Sequence, residues 1–329
     1  MASDLLHIKD SYYFEVPKFL WKPNYQSLDD VPEFLLELHK DDFHLTKEGG
    51  VTKAPTEAET EHALHEFNTQ MAGKILIPQP PGVKLKSLYR SETPFAFSKF
   101  MVLELAVAIF MILLFRWMAK KVNSDGPPKG RLPNLVESVM QFVRVDIVKA
   151  NIHHGASKFL PLIWTIFFFV LFCDLLGLVP WMGTATAALS CTLALAFAVL
   201  VAVFTGGLQE FGPKWLWSGF VPTMDLHWTL SPLKVFIFLI EVLGMFIKHA
   251  VLALRLFANM AAGHLVLLAI LGLVITAAKD PNIPYGIAAF SGVIGTTVLS
   301  LLELFVAVLQ AYIFALLASL FIGSAVHEH

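Results

Sequence analysis

From about residue 95 onward the chain alternates long apolar runs with short polar breaks, and a membrane span takes about 20 mainly apolar residues to cross a core of about 30 Å. The first run predicts a transmembrane helix over 95–118, with Lys120, Lys121, Lys129 and Arg131 after it and Pro127, Pro128 and Gly130 making a turn. Residues 132–152 mix Leu135, Val139, Phe142 and Val148 with Glu137, Arg144, Asp146 and Lys149. That pattern is too polar to cross and predicts an amphipathic helix at the interface. Leu160–Trp181 and Ala185–Phe204 predict a transmembrane hairpin within 159–205, turning near Gly183, and Gly206–Leu230 reads as a loop with Pro213 and Pro222.

The last hundred residues break the rhythm. Leu233–Ala278 contains no proline, Asp280-Pro281-Asn282-Ile283-Pro284 is a turn signal, and a second proline-free run follows over Tyr285–Ile322. At 1.5 Å per residue, about 45 helical residues reach roughly 68 Å, over twice the hydrocarbon thickness. Either each run hides a turn and makes two upright spans, or each is one steeply tilted helix. The lack of any proline, with only Gly244 and Gly263 before His264 in the first run, fits a long tilted helical hairpin over 231–323. The expected fold is an all-α polytopic membrane protein with upright helices, this hairpin, and an acidic extramembrane N-terminal segment.

That segment, residues 1–94, has no run able to span a bilayer. Residues 1–95 carry 15 Asp/Glu against 10 Lys/Arg, and short helices are expected at Val31–His39 and Glu57–Met71. The opening Met-Ala-Ser-Asp-Leu-Leu-His has neither the basic flank nor the apolar core of a cleavable signal peptide.

Composition agrees with the pattern. The 329 residues are 56% hydrophobic and only 15% charged, against about 25% charged in a soluble domain. A net charge of −2 gives no bulk attraction for nucleic acid. Cys173 and Cys191, both in apolar stretches, exclude a disulfide framework, and no zinc-finger spacing occurs. The pairs His62/His65, His153/His154 and His327/His329 read as solvated histidines, so no metal or other cofactor is expected. The basic Lys120–Arg131 linker places that loop on the cytoplasmic side and the N-terminal segment outside. Trp215, Trp217 and Trp228 then fit an interfacial aromatic belt.

Ionisable groups within membrane helices are costly and mark ion or substrate paths. Glu241, Lys248 and Arg255 are seven apart and drift only about 20° per step, so they share a helix face; Asn259 stays within about 40° of Arg255, and His264 points about 180° away. Glu303 and Gln310 share a face of the return run. In an antiparallel hairpin, residues with a common midpoint lie at one depth: Arg255 and Gln310 meet at 282.5, His264 and Glu303 at 283.5, both inside the turn. A guanidinium keeps its proton, so Arg255 suits an electrostatic post, whereas His264 and Glu303 can titrate and relay. Lys248 reads as a structural partner or snorkelling residue, Glu104 as a packing or interface carboxylate, and Asp174 as a costly acid deep in the second span, with a channel-side role as the alternative that is not assigned to it.

The stretch Leu254-Arg255-Leu256-Phe257-Ala258-Asn259-Met260-Ala261-Ala262-Gly263-His264-Leu265 closely resembles the signature of subunit a of F-type ATP synthases. Leu309-Gln310-Ala311-Tyr312-Ile313-Phe314 and Gly177-Leu178-Val179-Pro180 with Thr184 and Thr186 resemble it too. The likeness runs from about Phe95 to the end and is weak before it. It implies that Arg255 is the arginine meeting the carboxylate of a rotating c-subunit ring, with Gln310 opposite and Asn259 one turn on. It implies a proton-uptake side at His264 and Glu303, an acid–imidazole pair exchanged relative to some members, and a release side at Glu241. The implied partners are the c-ring, the peripheral-stalk b subunits, the rest of the complex and the lipid bilayer. The implied location is a bacterial plasma membrane, or an organellar inner membrane.

In this reading the chain is a non-catalytic channel subunit, and it has no GxxxxGK[ST] nucleotide loop. The alternative function is a secondary ion-coupled transporter, which would show inverted repeats; none is found. A membrane-embedded enzyme would need a nucleophile–base pair or an HExxH metal set, and neither is present.

Overall fold

The computed structural model describes residues 10–27, 30, 31, 35, 57–83, 85–91, 93, 96–122, 130–153, 155–179, 182–215, 231–277 and 285–326. Most of the expected helix Val31–His39, the loop from 216 to 230, Trp217, Trp228 and the 280–284 turn lie outside these residues. The chain forms two compact units, one comprising Lys9–Leu103 with Val179–Gly183, the other Glu104–Leu178 with Thr184 onward.

The N-terminal unit holds more than short helices. Strand β1 (Tyr13–Glu15) pairs antiparallel with β2 (Lys74–Leu76), and β3 (Leu85–Ser87) with β4 (Arg90–Ser91). Ladders of two or three residues are too short to show a period-two pattern, which is why the sequence predicts none of them. Helix α1 spans Glu57–Met71, as expected, and contributes Leu64, Phe67 and Met71 to a small core with Tyr13, Leu35 and Leu88. The unit grips the first turn of helix α2 (Lys99–Val122). Lys99 N–H donates to the Ser11 carbonyl at 2.7 Å, and Phe100 N–H to Asp10 Oδ1 at 3.3 Å. These bonds occupy amide groups that a helix start leaves without partners.

In the other unit, helix α3 (Arg131–Phe142) runs into a π-helical stretch, Val143–Lys149. Side chains of neighbouring helices donate to one carbonyl just before this stretch and one inside it. Trp164 Nε1–H donates to Met140 O at 3.1 Å, and Ser319 Oγ–H to Ile147 O at 3.1 Å. Helix α4 (Ala156–Gly177) and helix α5 (Leu189–Phe211) are joined through a 3₁₀ turn at Ala185–Ala187. Phenylalanines knit α2 to α4: Phe110 meets Phe172 and Phe115 meets Phe168 edge-on, each pair at 5.2 Å. That geometry suits the ring quadrupoles.

The loop expected from Gly206 starts later, because α5 remains helical through Phe211 and ends at Gly212, whose φ is +70°. Gly206 and Gly207 are helix residues chosen for space rather than for a bend. A Cβ on Gly206 would lie 3.1 Å from the Phe159 ring, and Gly207 is covered directly by the indole of Trp215. Trp215 is therefore buried, not an exposed belt residue.

The two long runs are each one unbroken helix, α6 (Ser231–Ala277, 47 residues) and α7 (Tyr285–Val326, 42 residues). At 1.5 Å per residue they reach about 70 and 63 Å, so inside a bilayer they must tilt steeply. Five described helices are long and apolar enough to cross a membrane, and the chain is a multi-pass membrane protein. The C-terminal half of α7 forms the middle of the core. Ala307, Ala311, Ala315 and Ala318 are fully buried, and such small residues allow close helix approach. Helix α6 touches the core through one narrow seam, Met245, His249, Leu252, Leu256 and Met260. Val235, Phe236, Leu239, Leu243 and Phe246 form an apolar stretch of α6 that the described residues leave exposed.

Candidate functional site

The facing of α6 and α7 is legible from their contacts. Asn259 Nδ2 donates to Gln310 Oε1 at 2.7 Å. A Cβ on Gly263 would fall 2.6 Å from Glu303 Oε1, and a Cβ on Gly292 would fall 2.8 Å from Val274. The midpoints of these pairs are 284.5, 283 and 283, so the helices are antiparallel about the 281–284 turn. Glycine at 263 and 292 lets the backbones come together where a longer side chain stands opposite.

Gln310 is 2% exposed, and its Nε2 is buried without a hydrogen-bond partner among the described residues. Its partner on α6 is Asn259 rather than Arg255, one turn earlier at the same face. Arg255 is exposed, with no ion pair to a described residue. It flanks the buried seam at Leu256 and leaves its guanidinium on the uncovered surface of α6. A permanent cation there is open to an external carboxylate while the Asn259–Gln310 bridge closes the gap between the helices behind it.

Glu241 and Lys248 lie on the same exposed flank and pair at 3.7 Å, with both side chains about half exposed (52% and 56%). The pairing therefore leaves about half of the Glu241 side chain uncovered by the described residues.

His264 and Glu303 occupy the far side of the Asn259–Gln310 bridge. Thr184, just before the 3₁₀ turn, hydrogen-bonds His264 Nε2. Thr184 fits because position 177 is glycine: a Cβ there would lie 2.6 Å from Thr184 Oγ1. Glu303 sets its carboxylate against Gly263, next to His264 in the chain, and its Oε1 is buried without a hydrogen-bond partner among the described residues. Two glycines of the Gly-Leu-Val-Pro and Ala-Gly-His stretches thus make room for two titratable or polar side chains. Behind Thr184, Thr186 Oγ1–H donates to Asp174 Oδ1 at 2.7 Å. Asp174 is fully buried, and Oδ2 has no partner among the described residues. An unpaired buried oxygen is costly, so Asp174 is set apart from the apolar packing around it.

His249 is the polar residue that sequence reading missed. It is buried in the α6 seam, its Nδ1 lies 2.8 Å from Met245 O, and its ring packs 4.9 Å from that of Phe321. It has no seven-residue relation to the other ionisable residues, and the only signal is its place in the 245–249–252–256–260 seam. Among the described residues no group of His, Cys, Asp and Glu side chains is arranged to hold a metal ion.

Comparison with known proteins points one way. A family model described as ATP synthase A chain matches residues 100–323. An ATP synthase subunit a from Chloroherpeton thalassium is 39% identical over 228 residues, 68% of this chain and 65% of that protein. A second, an ATP synthase subunit a 2 from Chlorobium luteolum, is 34% identical over 270 residues, 80% of this chain and 73% of the relative. A Myxococcus xanthus ATP synthase subunit a is 36% identical over 245 residues, covering 68% and 72%. The matched stretch thus spans just under two thirds of the first relative and rather more of the other two.

Proposed function

The chain belongs to the ATP synthase A chain family, and on that premise we propose that it is the proton-translocating stator subunit a of a rotary F-type ATP synthase, forming two aqueous half-channels against a ring of c subunits. It is a non-catalytic channel subunit, and the chemistry of ATP takes place elsewhere in the complex. In this reading the upright spans are 95–118 and 159–205, the interfacial helix is 132–152, and the 231–323 hairpin carries the ion path. Its partners in this reading are the c-ring, the peripheral-stalk b subunits and the lipid of a bacterial plasma membrane.

The single observation that carries the mechanism is the arrangement around the Asn259–Gln310 bond. Arg255 stands exposed on one side of it, and the His264–Thr184 pair and Glu303 stand beyond it. A proton taken up near His264 and Glu303, with Asp174 and Thr186 extending the polar cluster behind them, neutralises a ring carboxylate. The neutral carboxyl can then enter lipid at little cost. After nearly a full turn it loses its proton toward Glu241. Arg255 stabilises the ionised carboxylate between the two sides and, being unable to release its own proton, blocks direct transfer. The uncovered apolar face of α6 supports a ring of helices as its cover, since 47 residues with one buried seam leave far more apolar surface than the chain itself occupies.

The test is Arg255→Ala in the assembled complex in liposomes, with incorporation of the subunit verified. Loss of gradient-driven ATP synthesis with a raised passive proton leak is expected. Near-normal synthesis would sink the mechanism and return Arg255 to a structural role.

A further inference from the structure

The N-terminal unit carries one feature that the proton path does not use. Residues 18–22, Lys-Phe-Leu-Trp-Lys, are all exposed, and Phe19, Leu20 and Trp21 are 77%, 66% and 44% accessible. Isolated apolar residues on a surface need no explanation, but three in a row at one tip do.

The tip is built, not frayed. Val16 N–H donates to Gly73 O at 2.8 Å, and Gly73 N–H donates to Trp21 O at 2.9 Å, so the chain leaves and returns at one residue. Leu20 N–H closes a turn on Pro17 O at 2.8 Å. Gly73 has φ +81°, and a Cβ there would fall 2.6 Å from Val16 O. Only glycine can hold both ends of the tip at that point. Pro17 and Pro23 restrict the flanks further. Phe19 and Leu20 are thus held outward by backbone bonds, in a place where the described residues leave them exposed.

Two further observations name the occupant. First, the same unit holds the opening turn of α2 through Ser11, Asp10 and the Gln79–Phe97 pair. Since α2 is a membrane span, the unit is fastened at the bilayer surface. Second, Lys18 and Lys22 bracket the apolar residues inside a segment that is otherwise acidic. Apolar and aromatic residues flanked by lysines match the headgroup boundary, where rings sit in the interface and ammonium groups reach anionic phosphates.

We infer that the Pro17–Pro23 tip is a membrane-surface anchor, inserting Phe19, Leu20 and Trp21 into the headgroup region of the bilayer with Lys18 and Lys22 on lipid phosphate. The tip pins the N-terminal unit to the membrane at a second point besides the opening turn of α2. The inference needs only that α2 spans a membrane, and it stands or falls apart from the assignment of the ion path.

The experiment uses the whole complex in vesicles of phosphatidylcholine with phosphatidylglycerol. An environment-sensitive fluorophore is attached at Phe19→Cys, and in a separate preparation at Glu61→Cys on the exposed surface of α1. Unsubstituted complex supplies the background from the buried Cys173 and Cys191. The expected result is blue-shifted emission at position 19 that is lost when lipids carry a shallow spin label, with position 61 unchanged. Lys18→Glu with Lys22→Glu should reduce that quenching in anionic vesicles and leave it unaltered in neutral ones. Water-like emission at position 19 would overturn the inference. So would blue-shifted emission that lipid quenchers do not reach, because a protein partner would then cover the tip.

Discussion

Asn259 and Gln310 join the two long helices by a 2.7 Å hydrogen bond, and their burial is unequal: Asn259 is exposed, whereas Gln310 is 2% exposed. The inequality makes the two single substitutions differ. Gln310→Leu leaves an asparagine that water can satisfy. Asn259→Leu leaves a buried amide whose Nε2 already has no described partner, at a cost of about 1–3 kcal/mol. Thermal denaturation of the detergent-solubilised complex should therefore show Asn259→Leu as the more damaging, with the double variant recovering part of the loss. Equal losses in the two single variants would show that the bond is not what orders this crossing.

Gly263 and Glu303 give a sharper geometric test. A methyl at 263 would stand 2.6 Å from Glu303 Oε1, so the carboxylate must move in Gly263→Ala. Misplacement of a proton-transfer group by about 1 Å is expensive, and synthesis should fall on the order of tenfold. Shortening the acid in the Gly263→Ala, Glu303→Asp variant should restore part of it. If Gly263→Ala is silent while Glu303→Gln is not, the close approach is incidental to the path.

Much of this arrangement could be read before any coordinates. The absence of proline in 233–278 and 285–322 favours unbroken helices, and each run is one. The midpoint rule put the centre of the hairpin at 281–284; the Gly263–Glu303 and Gly292–Val274 contacts fall within that span, and the Asn259–Gln310 bond is centred just past it. It paired Gln310 with Arg255, and the bond goes to Asn259 one turn further on, because a shared depth does not set which side chain faces across. Gly206 and Gly207 misled because glycine marks loops as a class, and nothing in the sequence tells a bend from room made for Phe159 and Trp215. His249 was invisible for the opposite reason, being a lone polar residue in an apolar seam with no charged residue at helical spacing. The strands of the N-terminal unit are too short to impose a pattern.

Alkaline pH should loosen the N-terminal unit through Tyr13. Burial, with the hydrogen bond to Tyr89, raises the Tyr13 hydroxyl above the ordinary tyrosine value. A group raised in the folded state contributes stability that is complete below its unfolded value, about 10, and declines as pH rises through the folded one. Lys74, over the Tyr13 ring at 5.5 Å, is lowered chiefly by burial and acts in the opposite sense. Its penalty for charge disappears as pH rises past its depressed value. In Lys74→Met, then, the rise in stability leading up to about pH 10 should disappear, and in Tyr13→Phe the loss above it should vanish. Hydrogen exchange at β1 and β2 across alkaline pH reads both effects. A loss that persists in Tyr13→Phe would place the titrating group elsewhere.

The last turns of α7 are held against the π-helical stretch at two points of different kinds. Ser319 donates to the Ile147 carbonyl, which also accepts from Asn151 Nδ2 at 2.7 Å, and Gly323 packs on the Asn151 carbonyl. Because Ile147 O keeps a donor when the hydroxyl is removed, Ser319→Ala should cost little, about 0.5–1.5 kcal/mol. Gly323→Ala has no such reserve: its methyl would enter the space of a backbone oxygen, and overpacking of this kind costs about 1–3 kcal/mol. It would also push α7 off its support at the end nearest Ala318, Ala315 and Gln310. Subunit incorporation and melting temperature should therefore fall further for Gly323→Ala than for Ser319→Ala. The reverse order would mean that the hydroxyl bond, not the close backbone approach, fixes where α7 stands and with it the height of Gln310.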